Sequence, residues 1–79
     1  VPPPEARIAD IRAGLAAAGL RPVRKDGAEE VRIEADVPPD FPPEAWLAVL
    51  AALESADRFG LSDGTARGRT VWALVRRSP

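Results

Sequence analysis

The sequence predicts an α+β domain: a two-layer sandwich of order αββαββ, with a four-stranded, mostly antiparallel sheet and both helices on one face. Three observations lead there. Apolar residues recur at helical spacing in two segments, at Ile8, Ile11, Leu15 and Ala18, and again at Trp46, Val49, Leu50 and Leu53. Residues 29–37 alternate strictly, with Val31, Ile33, Ala35 and Val37 on one side and Glu30, Arg32, Glu34 and Asp36 on the other. Two Asp-Gly pairs, Asp26-Gly27 and Asp63-Gly64, each sit between extended segments, where a hairpin would turn.

The elements follow in order. Val1–Pro4 is a proline-rich lead-in, and proline suits a first helical turn because the N–H it lacks would be unpaired there anyway. A helix over 4–18 stops at Gly19. A short extended piece, 20–25, turns at Asp26-Gly27 into the alternating strand, whose charged side reads as a wet sheet face. The run 38–43, Pro-Pro-Asp-Phe-Pro-Pro, is a stiff linker between two halves, and Phe41 stands where it can staple the next helix. That helix is expected over 43–55, with Leu47 and Ala51 beside its apolar face and Trp46 in the core. Residues 58–62 are extended, a loop from Asp63-Gly64 runs to Gly68, and 69–77 form the last strand. The two halves echo one another in order and turn type. Identity is too low to read a duplication from sequence.

Length and composition bound the function. Seventy-nine residues make one small domain, 1–79. Apolar residues are 46% of the chain, but fifteen of them are alanine, so a few large side chains must carry a thin core. A partner or second copy would help such a core. The abundance of Ala, Pro, Gly, Val and Arg, with one lysine against ten arginines, points to a high-GC bacterial source. The first residue is not Met, which suits a processed product, a GTG start or, the preferred reading, a domain cut from something longer. No apolar run approaches the length of a membrane span, no signal peptide stands out, and the lack of cysteine fits a cytoplasmic setting.

Cys, His, Met, Tyr, Asn and Gln never occur. The chain thus lacks the Cys and His ligands of zinc fingers, iron–sulfur clusters and haem, a thiol nucleophile and a histidine base. Ser55, Ser62 and Ser78 have no such base to activate them, and Lys25 stands alone beside a turn. Glu29, Glu30, Glu34 and Asp36 line a strand face expected to be solvated, where carboxyl groups are seldom tuned for acid–base work. No phosphate-binding glycine loop occurs. The expectation is a non-enzyme without metal or cofactor.

The last strand is the most informative segment. Val71, Ala73 and Val75 point one way; Thr70, Trp72, Leu74 and Arg76 point the other. If the first set faces the helices, Trp72 and Leu74 lie on the open side of the sheet, ringed by Arg58, Arg69 and Arg76, and mark an interaction patch. If the strand is flipped, they are core; a strand covered on both sides is the third possibility. Charge is uneven, +3 over residues 1–25, −7 over 26–56 and +3 over 57–79, so Glu30, Glu34 and Asp36 offer a polar counterpart within an acidic middle that attracts a basic partner.

From Asp57-Arg58-Phe59-Gly60 and Gly68-Arg69-Thr70-Val71-Trp72-Ala73-Leu74-Val75, the chain resembles small α/β effector-associated or co-occurring adaptor domains of bacterial conflict systems. The resemblance covers residues 44–77 and implies an adaptor that pairs with a like domain on a sensor or effector protein. The expected function is therefore protein–protein interaction, with another protein or a second copy as partner. The alternative is a nucleic-acid-binding module using the Arg-rich last hairpin, with Arg67, Arg69, Arg76 and Arg77 against phosphates and Trp72 stacked on a base. The acidic middle disfavours it.

Overall fold

A computed structural model of the chain describes residues 3–64 and 68–77. The sheet is four-stranded, as expected, and antiparallel throughout where a mostly antiparallel one was predicted. The elements are α1 (Pro4–Ala17), β1 (Val23–Asp26), β2 (Glu30–Val37), a 3₁₀ turn at Pro43–Ala45, α2 (Trp46–Leu53), β3 (Arg58–Gly64) and β4 (Gly68–Arg76). The strand order is β1-β2-β4-β3, so the second strand of each half lies at the centre and the first at an edge.

Local chemistry accounts for the boundaries. Pro4 opens α1, and Glu5 in its first turn complements the helix dipole. The helix closes in a Schellman turn: the Leu20 N–H donates to the Leu15 carbonyl and the Gly19 N–H to that of Ala16, both at 3.0 Å. Gly19 takes φ +94°, a region that disfavours any side chain, and the turn delivers Leu20 into the core against Leu15. In the second half, the prolines of the linker give the chain a tight 3₁₀ entry before α2. Phe41 is the expected staple, its ring edge-on to Trp46 with centroids 5.4 Å apart.

The core lies on one side of the sheet. Val31, Ile33, Ala35 and Val37 of β2 and Val71, Ala73 and Val75 of β4 are buried together with Ile8, Ile11 and Leu15 of α1 and Val49 and Leu53 of α2. Both helices thus cover one face, and the molecule measures only 16 Å along its shortest axis. Each full burial of a Val, Ile or Leu stabilises by about 1.5–3 kcal/mol. Trp46 packs on this core, partly buried.

The halves are related more closely than their sequences. Ile8, Ile11 and Leu15 occupy α1 at the spacing at which Trp46, Val49 and Leu53 occupy α2, and Gly14 matches Ala52. Those last two residues meet where the helices cross: a Cβ on Gly14 would stand 2.5 Å from that of Ala52. Beneath the crossing, β2 and β4 pair about an axis through the middle of the sheet, with Ile33 opposite Ala73 and Glu34 opposite Trp72. Two αββ units therefore face each other about a pseudo-two-fold normal to the sheet.

Two expectations change. Asp63-Gly64 is no turn; both residues stay in the ladder, Asp63 opposite Arg69 and Gly64 opposite Gly68. The tip of that loop, Arg67 included, lies outside the described residues, as do Val1, Pro2 and Ser78. Leu50, placed by its spacing with the buried side of α2, is 45% exposed. The helix overhangs the edge strand β3 there, and no further layer among the described residues covers it.

Candidate interaction surface

The orientation of β4 decides the open face. Val71, Ala73 and Val75 turn under the helices, so Thr70, Trp72, Leu74 and Arg76 lie on the uncovered side. The registers set their neighbours. On the β2 side Glu30 stands opposite Arg76, Arg32 opposite Leu74, Glu34 opposite Trp72 and Asp36 opposite Thr70. On the β3 side Arg58 stands opposite Leu74, Gly60 opposite Trp72 and Ser62 opposite Thr70. Trp72 and Leu74, both half-buried, are thus the apolar centre of a charged sheet face.

Trp72 is held in a specific pose. A Cβ at Gly60 would come within 2.6 Å of its six-membered ring, so the indole packs over the β3 backbone at Gly60, where glycine alone leaves room. The Arg32 guanidinium carbon sits 5.1 Å from the ring centroid, a cation–π contact. Arg32 also pairs with Glu34, whose other oxygen accepts from Lys25 Nζ at 3.0 Å. Lys25 first, then Arg32, holds the Glu34 carboxyl below the ordinary carboxylate range. Thr70 Oγ1 donates to Asp36 at 3.1 Å.

At one corner, Glu30, Asp57, Arg58, Leu74 and Arg76 line a shallow polar cleft of about 390 Å³. Asp57 organises it. Its carboxylate accepts from the Arg76 backbone N–H at 2.7 Å and pairs with Arg7 of α1 at 2.8 Å. The backbone bond, then the guanidinium, holds this carboxyl below its usual value. Arg7 also donates to the Ser55 carbonyl just past α2, so one arginine ties α1, the end of α2 and the start of β3 together. Arg58 makes no salt bridge among the described residues, which leaves its cation available at the rim.

Of the residues singled out by sequence, Trp72, Leu74, Arg58, Arg76, Glu30, Glu34 and Asp36 share this face. Arg69 does not. It has the parity of Val71, falls on the helix side at the end of β4, and pairs with Asp63 at 3.5 Å. Its place in the ring fails because alternation sends every second side chain to the other face. Nor are the acidic residues a separate counterpart: they interleave with the arginines and Trp72. Sequence reasoning missed Gly60 and Arg32, the seat and cover of the indole. Both depend on register across strands, which a single strand does not display.

A second apolar surface was not anticipated. On the helix side, Trp46, Leu50 and Leu53 with Phe59, Leu61 and Val71 line an open groove of about 330 Å³ between α2 and β3, which Arg69 also borders. Phe59 is 45% and Leu61 48% exposed. Their alternation with Arg58, Gly60 and Ser62 was visible in the sequence; that β3 is an edge strand was not.

Among the described residues no helix is long and apolar enough to cross a membrane, and no group of three or more Asp or Glu is placed to hold a metal ion. No protein-family model and no curated protein matches the chain.

Proposed function

We propose that this chain is a non-enzymatic protein–protein interaction domain, an adaptor that is part or companion of a larger cytoplasmic bacterial protein of the conflict-system kind. The observation that carries this reading is the pair Trp72–Leu74 at the centre of an uncovered sheet face, rimmed by Arg58 and Arg76. Aromatic and arginine side chains dominate interface energetics, and Trp72 is already posed by Gly60 and Arg32, so little ordering entropy is lost on docking. The fitting partner is a protein surface with an apolar pocket for Trp72–Leu74 and a carboxylate for Arg58. Glu30, Glu34 and Asp36 on the same face work against a phosphate backbone. A catalytic role draws no support, since every displaced carboxyl is a surface group lowered by a neighbouring donor or cation, the reverse of a poised general acid.

The test compares what immobilised wild-type chain and Leu74→Glu retain from a bacterial extract. Arg32 and Arg58 flank position 74, so the new carboxylate is accommodated in the fold. Proteins retained by the wild type should bind the variant at least about tenfold more weakly. Equal retention by both, or binding of labelled DNA or RNA by the wild type at low salt, overturns the reading.

A further inference from the structure

We propose that the outer flank of α2 is a docking surface for a basic amphipathic helix of another protein, which packs beside α2 as a third helix over β3. The surface lies on the helical side of the sheet and does not involve Trp72.

The composition of α2 is the first observation. All eight of its residues, from Trp46 to Leu53, are apolar. A helix apolar on every side ordinarily has neighbours on every side. Here Val49 and Leu53 face the core, and Ala52 meets α1 at Gly14. The opposite flank is open: Leu47 is 75% and Leu50 45% exposed. By contrast, α1 turns Glu5, Asp10 and Arg12 to solvent. Beside the open flank, Phe59 and Leu61 of β3 stand opposite Ala73 and Val71, so they turn to the helical side, and both are exposed. A helix laid there has α2 for a wall and β3 for a floor, as Leu50, Phe59 and Leu61 already border one groove.

Charge selects the occupant. Glu44 stands just before α2 and Glu54 just after it, both exposed and neither in a salt bridge among the described residues. Glu54 follows Leu47 and Leu50 at helical spacing, so it continues their stripe. It is also the C-cap of α2, where the helix dipole disfavours a carboxylate, and no basic residue stands in the last turn. The cations close by are engaged: Arg7 pairs with Asp57 at 2.8 Å, and Arg69, at the border of the groove, with Asp63 at 3.5 Å. The apolar flank therefore lies between two unmatched carboxylates. A second copy fits badly, because parallel or antiparallel α2 helices would set Glu44 and Glu54 only against one another. A helix with an apolar stripe flanked by lysine or arginine satisfies both the flank and its ends.

Fluorescence anisotropy with the full chain tests it. The probe is a labelled peptide of about 18 residues, long enough to hold a helix, with leucine at helical spacing and lysine elsewhere. Its counterpart carries glutamate for every lysine. The Leu/Lys peptide should bind with a dissociation constant below about 100 μM, and the Leu/Glu peptide at least about tenfold more weakly. Leu47→Lys and Leu61→Lys, both at exposed positions, should keep the wild-type circular dichroism and weaken the Leu/Lys peptide at least about tenfold. Glu54→Lys should weaken it about three- to tenfold. Glu29→Lys, the same change of charge in the turn between β1 and β2, should leave it unchanged. No binding of the Leu/Lys peptide up to about 1 mM, equal binding of the two peptides, or equal losses from Glu54→Lys and Glu29→Lys overturns the proposal. So does wild-type affinity in both leucine variants, which places the peptide elsewhere and leaves the reading of the Trp72 face standing.

Discussion

Trp72 owes its pose to two residues that make no chemistry of their own. Gly60 supplies a bare stretch of backbone, and Arg32 lies over the indole from β2. Gly60→Ala should therefore lift the ring off β3. In a Trp46→Phe background, which leaves Trp72 as the sole indole, the emission maximum should shift to the red as the ring enters water. An unchanged spectrum would mean that the ring does not rest on Gly60. Gly14 poses the opposite balance. Alanine in a helix interior is favoured over glycine by about 1 kcal/mol. Here its methyl would stand 2.5 Å from Ala52 Cβ, so the helices must separate. Overpacking costs about 1–3 kcal/mol, and Gly14→Ala should lower the denaturant midpoint in urea titrations. A raised midpoint would show that the helices cross less closely.

Among elements, the corner between α2 and β3 holds the layers together. Asp57 accepts from the Arg76 N–H and pairs with Arg7, while Arg7 reaches the Ser55 carbonyl. One helix, the end of the other and two strands depend on this contact. Removing the carboxylate leaves a backbone N–H and a guanidinium without their acceptor. Asp57→Ala should cost about 1–2 kcal/mol by chemical denaturation, at the modest end for charged hydrogen bonds because the site is partly open to water. A change within error would show that water replaces the carboxylate.

For the whole molecule, surface ion pairs set the response to acid. Arg24 lowers Glu5 and Asp26, Lys25 and then Arg32 lower Glu34, and the Arg76 N–H and then Arg7 lower Asp57. A carboxyl group whose pKa is lower folded than unfolded binds fewer protons in the folded state. Its contribution is complete above the unfolded value, about 4, and is lost as pH falls through the lower folded value. The melting temperature should be flat from about pH 7 to pH 5 and fall below about pH 4, and Asp57→Asn should flatten that fall. Parallel curves for the two proteins would remove Asp57 from the account.

What the sequence determined by itself is local. The 3.6-residue spacing of Ile8, Ile11 and Leu15, the strict alternation of residues 30–37, Gly19 as a helix stop and Phe41 as a staple all act within a few residues, and each can be read along the chain. So could the two-sided character of β4. Which side of β4 is buried, where Arg69 points, why Gly60 must be glycine and why Leu50 is uncovered were decided only by tertiary structure. The physical reason is strand order and register. They arise from pairings between residues some forty positions apart, such as Glu34 with Trp72, and depend on how both helices bury one common face. Parity along β4 links Thr70, Trp72, Leu74 and Arg76, but it takes the β1-β2-β4-β3 order to set them beside Gly60 and Arg32 and to leave β3 at an edge.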